Sequence, residues 1–183
     1  RLPAVGEYWS GDVRELEGYL ARVPNVMLFD VPLHYHLHDA SVSDGNVDLA
    51  RLWENTLTAS HPDKSVTFVE NHDTQPGQSL ASTVAPWFKA AAYAIILFNE
   101  AGVPCVFWGD LLGSPESDDL PAVRELPVLM SIRARAAVGP QHNAFDDPDV
   151  VGFAREGKDE IPGSGCAVIL SDRMAAEKTL YVG

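Results

Sequence analysis

Basic residues are scarce in this sequence: 13 Lys and Arg stand against 26 Asp and Glu, a formal net charge of −13. A chain this acidic repels polyanions, which argues against nucleic acid as a partner and suits a neutral substrate and a cation. Long apolar runs are missing too. The longest, 90–98, is broken by Tyr93 and is far shorter than the ~20 residues that cross a bilayer, so no membrane partner is expected. There are only two cysteines, Cys105 and Cys166, and their spacing suggests neither a disulfide nor a metal pair. Both fall in strand-like contexts, where a buried thiol acts as a small hydrophobe. Unpaired thiols tilt slightly toward an intracellular protein; a secreted protein without disulfides fits nearly as well, and the compartment stays open. The sequence shows no signal-peptide pattern and no initiator Met, and it opens directly in strand-like residues. It is expected to be a piece of a longer protein.

What is present centres on one stretch. Residues 66–69 are apolar and β-branched and read as a buried strand. Six polar residues come at once after them, Glu70, Asn71, His72, Asp73, Thr74 and Gln75, before Pro76-Gly77 turns the chain. A buried strand that delivers His and Asp at its C-terminal tip is the pattern of an α/β-barrel active site. A polar loop after a core strand is the plainer reading for any one of these residues; it accounts poorly for so many together.

Other segments repeat the pattern. Residues 2–6 read as a strand ending in Glu7-Tyr8-Trp9. Apolar neighbours raise a carboxyl's pKa, so Glu7 could serve as an acid near neutral pH, and Trp9 offers a face to a sugar ring. Asp12 is a suitable N-cap for a helix over 13–23, with Val13, Leu16, Leu20 and Val23 as its apolar stripe. Residues 26–31 form the next strand. His34, His36 and His38 alternate after it: on a strand they would face one way and could hold a metal, and in a loop only the first need touch a ligand. Ser43 to Asn46 reads as a turn, and Leu49, Leu52, Trp53 and Leu57 as core. A strongly apolar helix is predicted over 87–101 with Gly102 at its C-cap. A strand comes next over 104–108, ending at Gly109-Asp110, and then a helix over 123–137 in which Pro127 starts a second stretch. After Gly139-Pro140 the texture turns all-β, with strands over 150–155, 166–170 and 179–182. The fold class is therefore α/β, a parallel strand–helix unit over 1–139 continued by an all-β domain over 140–183.

The string Phe-Val-Glu-Asn-His-Asp-Thr-Gln-Pro-Gly-Gln-Ser at 68–79 resembles the motif of the α-amylase family, glycoside hydrolase family 13, and in particular its liquefying type. Glu7-Tyr8-Trp9 resembles the family's general-acid segment, Phe29 to Tyr35 the segment that leaves its sixth barrel strand, and Ala101 to Asp110 its eighth strand. The resemblance covers essentially the whole chain. It implies the C-terminal half of a (β/α)8 barrel and then the start of a β-sandwich. It also implies Glu7 as proton donor, Asp73 as transition-state stabiliser, and substrate contacts from His72, Trp9, His34, Asn71 and Gln78. The implied activity of the intact protein is retaining endo-hydrolysis of α-1,4-glucosidic bonds in starch or glycogen, by a protein expected to be monomeric. The family's nucleophile lies in a Gly-x-Arg-x-Asp type segment, and this sequence contains none; the 183 residues alone are expected to be inactive. Two other readings stand beside this one: an α-glucan transglycosylase, and a glucan-binding homologue without catalysis.

The resemblance further implies calcium. Asp149 and Asp172 match two carboxylates that bind it between barrel and β-domain, with the backbone carbonyls of Gly45, Val47 and Pro148. Hard oxygen ligands suit calcium. Solvated turn aspartates are the competing reading.

Overall fold

The computed structural model describes residues 4–113, 120–173 and 176–182; the expected start of the first strand at Leu2 and Pro3 lies outside them. Four short strands, β1 (Ala4–Gly6), β2 (Val26–Phe29), β3 (Ser65–Phe68) and β4 (Val103–Cys105), pair in that order, all parallel. Helices α1 (Val13–Arg22), α2 (Val31–Val42), α3 (Leu57–Ser60) and α4 (Pro86–Phe98) fill the connections, and α5 (Trp108–Leu112) and α6 (Leu126–Ala136) come after β4. Parallel strands need crossovers, and burial on both faces makes β2 run apolar, while β3 is wholly buried with Ser65 and Thr67 among its four residues. A second sheet, β5 (Gln141–Ala144), β6 (Val150–Arg155) and β7 (Cys166–Ser171), is antiparallel.

The two parts share one core. Phe88, Tyr93 and Ile95 of α4 pack in the same cluster as Val151, Phe153 and Val168 of the second sheet. Arg155 ties the seam: its guanidinium, nearly buried, donates to the Gly139 carbonyl at 2.7 and 2.9 Å and to the Phe98 carbonyl at 2.9 Å. That satisfies an orphan carbonyl at the end of α4.

Several expectations are corrected. The segment 32–38 is helix, not loop or strand. Asp30 caps it by accepting from the Leu33 N–H at 3.2 Å, and Pro32 sits in the first turn, where no donor is needed. On a helix His36 turns ~200° away from His34 and His38, which share a face, and the three Nδ1 atoms meet three different carbonyls, of Val69, Leu52 and Thr83. They make no metal site. Helix α4 ends at Phe98 with Asn99 as C-cap, and Gly102, at φ +79°, serves the turn into β4 instead. Residues 179–182 form no strand, whereas polar β5 pairs with β6 in the place the sequence left unassigned. Cys105 and Cys166 are free but only half-buried; burial still pushes both thiols up.

The sheet's outer strands are open. Val5 on β1 is 51% exposed and Val103 on β4 52%. Unpaired strand edges template association. Burying one such side chain is worth about 1.5–3 kcal/mol against a total stability of about 5–15 kcal/mol. The 183-residue chain expressed alone should therefore associate or fail to melt cooperatively. Sedimentation with thermal melting checks this, and a cooperatively melting monomer would contradict it.

Candidate active site

The tips of β1 and β3 meet through Asn71. Its side-chain N–H donates to Glu7 Oε1 at 3.3 Å, while its Oδ1 accepts the backbone N–H of Asp73 at 2.9 Å and of Thr74 at 3.0 Å. This turn sets the direction in which the next residues point. Asp73 is held part-exposed, and His72, 70% exposed in its side chain, brings Nε2 to 3.6 Å from Asp73 Oδ2. Gln75 closes the turn by donating from Nε2 to the His72 carbonyl at 2.7 Å. Gln78 lies further along the loop, exposed. Glu7, Asn71, His72 and Asp73 thus form one cluster at the C-terminal end of the parallel sheet.

Two expectations change here. Glu7 is exposed rather than enclosed by its aromatic neighbours. Tyr8 packs on Tyr19 at 5.1 Å, and Trp9 lies 5.9 Å from Phe68 with its Nε1–H donated to the Tyr35 hydroxyl at 3.0 Å. Trp9 is half-buried, anchored in an aromatic cluster. His34 does not face a cleft at all. It is wholly buried, stacks on Phe68 at 5.0 Å, donates from Nδ1 to the Val69 carbonyl at 2.8 Å, and sets Nε2 2.8 Å from Ser82 Oγ. Burial pushes its pKa down to about 4, against the smaller upward pull of the Val69 carbonyl. Its work is to hold the strand and loop in place.

Beneath the cluster lies a charged network that sequence reasoning missed. Glu70, 2% exposed, accepts from Thr74 Oγ1 at 2.5 Å and from the Val84 N–H at 2.6 Å. Lys89 of α4, also buried, lies 3.7 Å from Glu70 Oε1 and donates to Asp110 Oδ1 at 2.5 Å, and the Tyr93 hydroxyl donates to Asp110 Oδ2 at 2.7 Å. Burial pushes Glu70 up to about 7, offset in part by Lys89 and its two hydrogen bonds. Burial and the Asp110 charge raise the Tyr93 phenol. Lys89 was the available signal: one cation in an otherwise apolar helix must find a buried partner. Asp110, placed by sequence on the catalytic face, is spent on that pairing.

Of the expected calcium ligands, Asp149, Asp172 and Gly45 come together around Arg173 at the seam between the sheets. Asp172 is 6% exposed, and among the described residues neither carboxylate oxygen has a hydrogen-bond partner. Burial raises its pKa, and the nearby Asp149 charge adds to the rise. An unpartnered buried carboxylate beside a second one fits a hard cation. The rest of the set is engaged. Arg173 donates to the Gly45 carbonyl and lies 3.3 Å from Asp149 Oδ1, and the Pro148 carbonyl accepts the Leu49 N–H at 2.8 Å. Val47 packs against the core. Among the described residues no three His, Cys, Asp or Glu side chains gather as a metal group; any cation here would rest on two carboxylates and on carbonyls.

The chain is similar to known proteins over nearly all of its length. The α-amylase of Bacillus licheniformis is 45% identical over 183 residues, 98% of this chain and 36% of that protein. That of Geobacillus stearothermophilus is 45% identical over 184 residues, 100% of this chain and 33% of that protein. The chain belongs to the α-amylase family. It spans about a third of the length of these curated relatives. No protein-family model matches it. Among solved structures, a cyclic α-maltosyl-(1→6)-maltose hydrolase from Arthrobacter globiformis aligns with TM-score 0.58 at 21% identity over 93% of this chain and 41% of that one. At that identity the likeness speaks for the barrel fold alone, and the parallel sheet of this α-amylase-family chain corresponds to part of such a barrel.

The buried pair gives a pH prediction. Glu70 holds its proton more tightly folded than its ordinary 4.5, so its contribution to stability falls as pH rises from 4.5 to about 7. His34 holds its proton less tightly than its ordinary 6.5, so its contribution rises between about 4 and 6.5. The two oppose. Glu70→Gln should therefore gain stability relative to wild type as pH climbs through that window, by up to about 3 kcal/mol. Melting curves of both proteins across the range check it, and parallel pH profiles would contradict it.

Proposed function

We propose that the whole protein hydrolyses α-1,4-glucosidic bonds within starch or glycogen, with retention of configuration, through a covalent glycosyl-enzyme intermediate. The observation that carries this reading is the joining of Glu7 and Asp73 through Asn71 at the tips of parallel strands. That is where α/β barrels do their chemistry. The curated relatives, named as α-amylases, support the substrate class.

In this reading Glu7 protonates the departing glycosidic oxygen and then takes a proton from the attacking water. Asp73 carries negative charge to the ring as it becomes oxocarbenium-like, and His72 offers its ring N–H to a sugar hydroxyl. Trp9 lines the approach. Retention needs a nucleophilic carboxylate about 5 Å from the acid; that role belongs to the family's Gly-x-Arg-x-Asp segment, which this sequence does not contain. Calcium would be held by Asp172 and Asp149 with the Gly45, Val47 and Pro148 carbonyls. It would neutralise two carboxylates at the seam and take no part in proton transfer.

In the full-length protein, Glu7→Gln should remove most starch hydrolysis while the melting temperature stays close to wild type. Asp73→Asn should lower kcat by roughly two orders of magnitude or more with a much smaller change in KM, because its charge acts on the transition state. Near-normal turnover in either variant would contradict the assignment. Product analysis in the same assays separates hydrolysis from transfer to a second sugar.

A chelator should lower the melting temperature of the full-length protein, and added calcium should restore it. In Asp172→Asn the chelator should have little effect. An equal chelator effect in both proteins would remove Asp172 from the calcium site.

A further inference from the structure

Glu70 is a buried acid with no place in the proton transfers above. It sits directly before Asn71, two residues past the end of β3. Its two oxygens face different parts of the active-site loop. Oε2 receives the Thr74 hydroxyl at 2.5 Å and Oε1 the Val84 N–H at 2.6 Å. The Thr74 oxygen in turn accepts the Asn71 N–H at 3.0 Å. Thr74 therefore stands between the buried carboxylate and the residue that orients both Glu7 and Asp73. The far end of the loop is fastened to the same turn: the Thr74 carbonyl accepts the Ser82 N–H at 3.0 Å and the Thr83 hydroxyl at 2.9 Å.

We propose that Glu70 is a positioning residue for the reaction, and that its ionised carboxylate holds the Asn71–Thr74 turn in the arrangement that presents Asp73. The inference rests on the amylase reading for its effect on rate, but the hold itself does not. The hydrogen-bond accounting supports the ionised form. Thr74 has one hydroxyl proton. Against a carboxylate it donates that proton to Oε2, and the 2.5 Å separation suits a hydroxyl meeting an anion. A protonated Glu70 would itself donate at Oε2, and the Thr74 proton would have to turn to the Asn71 carbonyl at 3.3 Å. The turn would then exchange a short, charge-assisted bond for a long one.

The charges around Glu70 make this hold adjustable. From α4 come Lys89, at 3.7 Å, and Tyr93. From α5 comes Asp110, which takes the same ammonium at 2.5 Å. From α2 come His34, on the Val69 carbonyl, and His38, on the Thr83 carbonyl. One ammonium shared by two buried carboxylates leaves the cluster one negative charge in excess, so the proton that relieves it binds at Glu70, whose proton affinity burial has raised. Proton occupancy and loop geometry are thereby coupled.

The test uses the full-length protein, with Glu70→Gln and Glu70→Asp. Glutamine keeps the shape but sets an N–H donor or a neutral carbonyl where the turn needs an anion. It should lower kcat on a maltooligosaccharide by at least about tenfold while KM stays within about threefold. It should also remove one ionisation from the acidic limb of the kcat profile. Aspartate keeps the charge with a shorter reach, and should restore part of the rate and all of that ionisation. Independently of activity, the backbone amide NMR signals of Asn71, Thr74 and Val84 should titrate together in wild type, above the ordinary carboxylate range, and should not do so in Glu70→Gln. A wild-type protein that leaves starch untouched would overturn the amylase reading, and the amide titration then decides the hold by itself. Amides that ignore the Glu70 substitution, or a Glu70→Gln variant with wild-type kcat and pH profile, would overturn the proposal.

Discussion

A carboxylate buried without partners is expensive to keep charged, by several kcal/mol even after the surroundings relax. Glu70 meets that constraint with a hydroxyl, a backbone N–H and an ammonium, each from a different stretch of chain. The partners do not act singly. Lys89 also serves Asp110, Asp110 also receives Tyr93, and Thr74 also receives Asn71. Removing one would strand the charges of the others, so the network forms as a unit or not at all. The active-site turn, which has no sheet beneath it, takes its geometry from that unit. The position of Asp73 is in this sense set by the composition of the core behind it.

The tip of β2 is closed by the same device. Asp30, wholly buried, accepts from the Leu33, Leu57 and Thr58 N–H groups at 3.2, 3.1 and 2.7 Å, and from the Thr58 hydroxyl at 2.6 Å. It fastens the starts of α2 and α3 to the tip of β2. One acid thus organises packing at β2, and another organises the functional loop at β3. His34 connects the two, since it stands on α2 and bonds the Val69 carbonyl next to Glu70. The packing of this face and its candidate site share residues.

Much of this was legible in the sequence. The apolar stretches of β2 and α4 are visible because burial on both sides demands them, and the polar run after residue 69 is visible because it begins so abruptly. The helix over 31–42 is hidden because its cap, Asp30, reads as the end of a strand and Pro32 as a break instead of a first-turn residue. Strand β5 is hidden because an edge strand with a polar sequence, Gln141 to Ala144, has no period to detect. At the site, the exposed members carry their own signal in residue type. The buried ones do not: nothing local distinguishes Glu70 from its polar neighbours, and only Lys89, out of place in an apolar helix, hints at a carboxylate waiting for it. His34 misleads for the related reason that a histidine's burial is a property of the fold around it.

The central claim is that Glu7, Asn71, His72 and Asp73 make one sugar-binding face, supported from below and open above. A crystal structure of the full-length protein with a bound maltooligosaccharide tests it most directly. The account predicts a sugar ring against Glu7, His72 and Asp73, with Asn71 still bridging the two carboxylate-bearing segments and Glu70, Lys89 and Asp110 covered as they are here. An oligosaccharide seated elsewhere on the molecule, with Glu7 and Asp73 left bare, would contradict it.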